Sequence, residues 1–193
     1  AHMERTSKRF PDSSLITSNL LLIKVFSVTA VSEDFMRAAN EMRDQPFDAQ
    51  AVMGLRHIAN QITLPYAPES YAAAMIKLID EVHKNKNYRE VGIYSRVDHY
   101  IKGLMYLKLR NDAAAYESFS KAIDAYNETD AALSIVAEMA GAGYADFALN
   151  LLLKAEAVYK NQSDNTLIRS KDVYDKEFAR LRGILSSSSQ DTF

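Results

Sequence analysis

The amino-acid sequence predicts an all-α protein built from paired helices. Its 193 residues include only 6 glycines and 4 prolines, whereas β-rich folds need frequent turn residues. Apolar residues recur at helical spacing along most of the chain, and short polar breaks separate the segments. Two of the later segments also repeat one pattern of small and large residues. These observations predict helix pairs that stack into a repeat array around a continuous core.

Composition and charge restrict the classes of partner and chemistry. Hydrophobic residues make up 48% and charged residues 25% of the chain, a mixture typical of soluble globular proteins. The formal net charge of −2 gives no strong field, so neither nucleic acid nor an anionic membrane is predicted as a partner. The absence of cysteine removes disulfides and thiolate metal sites. Polar residues interrupt the apolar stretch 15–31, which is too short for a bilayer span of ~20 residues.

The first half of the chain predicts four helices after a flexible lead at residues 1–12. The first three residues are typical of a cloning remnant, which is expected of a piece excised from a longer protein. Asp12 or Ser13 is predicted to cap the first helix and Ser32 the second. The predicted segments are residues 13–28, 32–44, 48–62 and 69–84. Their inward-facing residues are predicted to include Phe35, Met36, Ala39, Met42, Leu55, Ile58, Ala59, Ile62, Tyr71, Met75, Leu78 and Ile79.

The second half predicts further helices and a disordered end. Asp130 is predicted to cap one of them, and Gly143 lies in the break that ends it. The predicted segments are residues 91–110, 113–126, 130–141, 145–160 and 171–185, with a loop at 161–170. The last segment carries its apolar side on Val173, Phe178, Leu181 and Leu185. Residues 13–185 are therefore expected to form a single helical-repeat domain, followed by a disordered tail at 186–193.

The repeat is clearest between two helices of the second half. In the earlier of the two repeats, Gly103 precedes Tyr106 by three residues, and Tyr106 precedes Ala115 by nine. This spacing resembles the glycine, tyrosine and alanine positions of the tetratricopeptide-repeat family, whose period is ~34 residues. The resemblance is clear over residues 96–160 and degenerate elsewhere. Within that range the later repeat departs from the family pattern, since Val136 and Met139 stand at its glycine and tyrosine positions.

One separation along the chain relates the two units, and we call it the repeat spacing. The repeat spacing is 33 residues at all three positions of a small-large-small pattern (148−115, 152−119 and 155−122). It is one residue short of the ~34-residue family period. A side-chain size pattern that recurs at a constant separation indicates that the two helices pack in equivalent ways. The pattern consists of Ala115, Phe119 and Ala122, which correspond in that order to Ala148, Leu152 and Ala155.

The resemblance implies both a fold and a function. Members of this family form right-handed solenoids of antiparallel helix pairs, and the segment 171–185 suits the role of a C-terminal capping helix. The first helices of successive pairs line a concave groove that binds a protein or peptide. By this resemblance, the groove candidates are Val97, Tyr100, Leu104, Lys108, Leu133 and Ala137. The alternative is that Tyr100 and Leu104 pack against neighbouring helices.

No enzymatic chemistry is predicted from the residues. His57, His83 and His99 lie too far apart in sequence for a local set of metal ligands, and no HExxH motif occurs. Asp98 and His99 are neighbours on a predicted helix and point about 100° apart, so they do not face each other. Phosphate-binding glycine loops and the nucleophile-elbow motif are absent. The sequence therefore predicts no catalytic residue, no metal site and no cofactor.

Two other functions remain open from the sequence. The chain is similar to soluble helical-repeat tails of bacterial polytopic membrane proteins that act in cell-surface glycan synthesis, in which case it has a regulatory or assembly role. Hydrophobic spans encoded upstream of Glu4 are then expected. Alternatively, the weakly repetitive segment 13–85 forms a homodimer. The partner's identity and the compartment stay open, with attachment to a bacterial membrane protein as one possibility.

Overall fold

The computed structural model describes residues 2–11, 13, 16, 19, 20, 49–82 and 94–188. Within these residues the regular structure is helical and contains no strand, which confirms the predicted all-α class. The predicted helix with Phe35 and Met42 and the end of the chain from residue 189 lie outside the described residues. The helices are α1 (His2–Arg9), α2 (Ala49–Ile62), α3 (Glu69–Val82), α4 (Tyr94–Lys108), α5 (Asp112–Tyr126), α6 (Thr129–Gly141), α7 (Ala145–Asn161) and α8 (Lys171–Ser188).

The chain divides into two compact units, Ala1–Asn111 and Asp112–Phe193. In the first unit, α2, α3 and α4 pack against one another. Their apolar residues recur at helical spacing, and the predicted inward residues of α2 and α3 are buried. These helices therefore form a common core, and its fully buried members include Leu55, Ile58, Ile62, Tyr71, Met75, Ile79 and Ile101.

Polar contacts also join the helices of the first unit. The ammonium of Lys102 on α4 forms an ion pair with Asp80 on α3. Lys108, at the end of α4, donates from Nζ to the carbonyl oxygen of Leu64 at 2.7 Å. Leu64 lies in the loop between α2 and α3, so this bond ties the loop to α4.

The N-terminal segment contains a short helix and a capping contact. Helix α1 lies in the region that the sequence pattern assigns to a flexible lead. The side-chain oxygen of Ser13 accepts a hydrogen bond from the backbone N–H of Ile16 at 3.4 Å. An oxygen that accepts from the third residue ahead is the contact expected of a helix N-cap, the role predicted for Ser13.

In the second unit, α5, α6 and α7 pack against one another, and α8 packs on α7. The repeated small-large-small residues of α5 and α7 are all fully buried, which explains the repeat spacing as a packing requirement. Small side chains let helices approach closely, and the large side chain between them fills the remaining space. The residues concerned are Ala115, Phe119, Ala122, Ala148, Leu152 and Ala155.

The same helix-ending turn closes α4 and α6. Arg110 and Gly143, which are related by the repeat spacing, both have left-handed backbone conformations, with φ of 55° and 89°. Asn111 donates its N–H to the carbonyl of Tyr106 at 2.9 Å, and Arg110 bonds back to Leu107 at 3.0 Å. The equivalent bonds after α6 run from Tyr144 to Met139 and from Gly143 to Ala140, at 3.3 and 3.0 Å. Both ends are Schellman motifs, which satisfy carbonyls that the helix leaves without partners.

Helix α8 presents one apolar face to α7 and a polar face to solvent. It begins at Lys171 as predicted but continues to Ser188, beyond the predicted end. Tyr174 takes the inward place predicted for Val173, which is 40% exposed. The reason is phase: Tyr174 lies one turn before Phe178 and on the same face, whereas Val173 lies about 100° away around the helix. The buried face consists of Tyr174, Phe178, Leu181 and Leu185.

Candidate partner-binding face

The groove candidates on α4 are largely packing residues. Tyr100 is 8% exposed and Leu104 is 3% exposed, while Val97 and Lys108 are half-buried. The guanidinium of Arg56 on α2 lies 5.4 Å from the ring centre of Tyr100. The ammonium of Lys108 is engaged with the loop that follows α2. This stripe therefore packs within the first unit, as the alternative interpretation of Tyr100 and Leu104 expects.

The candidates on α6 have different surroundings. Leu133 is buried, at 6% exposed, whereas Ala137 one turn later is exposed. Leu133 and Ala137 follow Tyr100 and Leu104 by the repeat spacing, so they hold the same places in the repeat. The candidates thus occur on helices of two separate units, and Ala137 is the exposed member among them.

An open face runs along α6 beside Ala137. We define the α6 face by one partly exposed and four exposed residues that cluster at helical spacing: Asp130, Ser134, Ala137, Glu138 and Gly141. Its side chains are short, and its charged members are acidic. The hydroxyl of Ser134 donates to the carbonyl of Asp130 at 3.0 Å and so stays close to the helix. A surface with so little side-chain bulk lets a bound segment approach the helix closely.

Asp130 does not cap α6, contrary to the prediction from the sequence. The N-cap is Glu128, which is extended at φ −132° and ψ 132° and makes no side-chain capping bond. Asp130 lies inside the first turn, where its carboxylate accepts from two groups. One oxygen takes a hydrogen bond from the hydroxyl of Tyr174, and the other lies 2.6 Å from Nη2 of Arg169. The prediction was wrong because a carboxylate in the first turn suits a distant cation as well as it suits a cap.

Asp130, Arg169 and Tyr174 form what we call the Asp130 cluster. The guanidinium carbon of Arg169 lies 4.6 Å from the ring centre of Tyr174, a cation–π distance. The backbone N–H of Arg169 donates to the Tyr174 hydroxyl at 3.3 Å. Burial lowers the pKa of Arg169, but hydrogen bonding to Tyr174 and Asp130 outweighs it and raises that pKa overall. The guanidinium at the N-terminal end of the α6 face is therefore held in its charged form.

The hydrogen-bond donors at the start of α6 find their acceptor in Gln162, the residue that follows α7. Thr129 is fully buried, and both its N–H and its hydroxyl donate to Oε1 of Gln162, at 2.9 and 2.7 Å. The amide nitrogen of Gln162 donates to the carbonyl of Thr166 at 3.0 Å. Gln162 thus replaces the missing side-chain cap of α6 and anchors the beginning of the loop between α7 and α8.

Sequence reasoning missed Gln162, Arg169 and Tyr174, although two signals point to them. Thr129 and Gln162 stand 33 residues apart, which equals the repeat spacing of the buried triads. Tyr174 is in phase with the inward residues of α8, and a buried tyrosine hydroxyl needs a hydrogen-bond partner. Neither signal names Asp130 as that partner, because the contact joins residues 44 positions apart.

The remaining features concern metal ligands, apolar helices and histidines in the part of the chain that the structure describes. No group of three or more histidine or acidic residues in those ranges is arranged to hold a metal ion. None of the helices found there combines the length and apolar character that a membrane crossing requires. His57 is exposed and His99 half-buried, while His83 lies outside the described residues. No protein-family model, curated protein or solved structure has a significant match to this chain.

Proposed function

We propose that the chain is a scaffold of the tetratricopeptide-repeat kind and that the α6 face binds a segment of a partner protein. The observation that carries the proposal is the recurrence of two structural features at one spacing. The buried triads of α5 and α7 and the left-handed turns after α4 and α6 are both related by the repeat spacing. A repeat in both packing and turn geometry supports a helical-repeat array, and such arrays bind partners along their first helices.

The position of α6 supports its role as the first helix of a pair. It packs along α7, buries Val136 and Met139 fully, and leaves the α6 face exposed on another side. A helix that is covered on one side by its own repeat and open on the other is available for a docked segment. The charged side chains of this face are both carboxylates, Glu138 and Asp130, and Asp130 is paired with Arg169 of the same chain. A segment with basic residues is therefore the favoured ligand.

The test uses a random peptide library selected on the immobilised full chain. Ala137→Arg places a long charged side chain in the middle of the α6 face, and we expect selected peptides to bind that variant at least ~10-fold more weakly. Ala157→Arg is the matched control, because Ala157 is also exposed and helical but belongs to α7. Both substitutions fall on the helix surface and should leave the melting temperature nearly unchanged.

The two variants separate the possible outcomes. Loss of binding in Ala137→Arg with full binding in Ala157→Arg would support the α6 face as the docking surface. Equal binding to both variants would place the ligand elsewhere and contradict this assignment. If repeated selections enrich no peptide, the scaffold proposal itself fails.

A further inference from the structure

The Asp130 cluster has the composition of a recognition site for an arginine side chain. It offers a carboxylate that faces the guanidinium and an aromatic ring over which the guanidinium lies. A planar, delocalised cation suits both contacts at once, whereas the ammonium of lysine can use the carboxylate but stacks poorly. In the described structure this place is filled by Arg169 of the same chain.

The segment that delivers Arg169 is lightly held. The backbone N–H groups of Leu167 and Arg169 make long hydrogen bonds, each of 3.3 Å, to the carbonyl of Asp164 and the hydroxyl of Tyr174. Between them, the side chain of Ile168 is 80% exposed. The ion pair of Arg169 is therefore the charged tie between residues 167–169 and the remainder of the second unit, beside the half-buried side chain of Leu167.

The location of the cluster connects it with the α6 face. Asp130 is both the N-terminal member of that face and the acceptor for Arg169. By the repeat spacing it takes the position of Val97, one of the groove candidates from the sequence. Arg169 thus lies where a segment docked on the α6 face would meet the N-terminal end of α6.

We propose that the Asp130 cluster is an arginine-binding site which Arg169 fills from within the chain, and that an arginine of the partner displaces Arg169 on binding. This inference rests on the proposed function. Replacing one guanidinium by another preserves the ion pair and the ring contact, so the exchange loses little interaction energy. Contacts along the α6 face then add to the binding energy of the partner, while the segment 167–169 is released. Arg169 acts as an autoinhibitory side chain that competes with the partner's arginine for Asp130 and Tyr174.

The experiment empties the site with Arg169→Ala and adds N-acetylarginine amide to the full-length variant. We expect saturable binding, with a rise in melting temperature of about 3–6 °C at a concentration tenfold above Kd. The wild type should shift much less, because its own arginine occupies the site. N-acetylcitrulline amide, which has nearly the same shape without the charge, should have no effect.

Two further variants complete the test. Asp130→Asn combined with Arg169→Ala should abolish the response, since the carboxylate is then lost. If Arg169→Ala does not fold, Arg169→Gln serves in its place, because a neutral amide can still hydrogen-bond to Asp130 while the cation is missing. Equal shifts in the wild type and the variants, or no shift in any of them, would show that Arg169 is a structural tie and overturn the inference.

The failure of this inference can be distinguished from failure of the scaffold proposal. Selected peptides that lose binding to Ala137→Arg but show no preference for arginine would overturn the arginine site. The scaffold proposal would then still stand. In wild type, arginine-containing peptides should bind more weakly than they bind Arg169→Ala, by about tenfold if the internal contact competes directly. Peptides without arginine should show no such gain.

Discussion

At the scale of single residues, buried polar groups in the second unit find hydrogen-bond partners far away along the chain. Thr129 is fully buried and gives both of its donors to Gln162, while Tyr174 is fully buried and donates to Asp130. Burial of a donor without an acceptor costs about 1–3 kcal/mol, which makes these contacts a condition of the fold rather than an addition to it. Gln162 is also the residue at which α7 ends and the following loop begins.

Replacement of Gln162 by alanine tests this view. The change leaves two donors of Thr129 without an acceptor in a buried place, so we expect the free energy of unfolding to fall by about 1–3 kcal/mol. Denaturant titration measures the loss. Asn161→Ala is the matched control, because Asn161 is the neighbouring residue and is exposed. Equal losses in both variants would show that the Thr129 contact contributes little.

At the scale of helices, the ends of α4 and α6 show how the repeat is defined locally. Both close with a left-handed residue, but α4 uses Arg110 and α6 uses Gly143. A side chain in that conformation strains the backbone, whereas glycine adopts it freely. The turn is therefore required by the connection between helices, and the residue type at its left-handed position differs between the two units.

Glycine-to-alanine substitutions give the prediction at this scale. Gly143→Ala should lower the free energy of unfolding by about 1–2 kcal/mol, because φ of 89° becomes strained. Gly183→Ala should raise it by about 0.5–1 kcal/mol, since Gly183 lies within α8 and an added Cβ meets nothing within 4 Å. Opposite signs in thermal or denaturant unfolding support the assigned turn. A stabilising Gly143→Ala would contradict it.

The sequence predicts helices and buried faces better than it predicts the site. Helical spacing alone marks Leu55, Phe119 and Leu152 as inward, and all three are buried. Helical spacing cannot distinguish residues that line a groove from residues that pack against a neighbouring helix. Tyr100 and Leu104 have the spacing that either role requires. Local sequence patterns do not predict the ion pair of Asp130, because its partner Arg169 lies in the loop before α8, far along the chain.

At the scale of the whole molecule, the chain consists of two compact helical units, each with a buried apolar core. The repeat spacing links them in sequence, since left-handed turns occur at Arg110 in the first unit and at Gly143 in the second. The exposed α6 face and the Asp130 cluster both lie in the second unit. Under the proposed function, partner recognition belongs to residues 112–188, and the first unit is expected to contribute less to the bound surface.

The most direct test of the account is a map of backbone amide chemical shifts during titration of the full chain with a selected peptide. We predict that the largest changes fall on the α6 face, around Ser134, Ala137 and Gly141, and extend to residues 167–174 as Arg169 is displaced. Changes confined to the exposed sides of α5 and α7, or to the first unit, would contradict a partner site on α6.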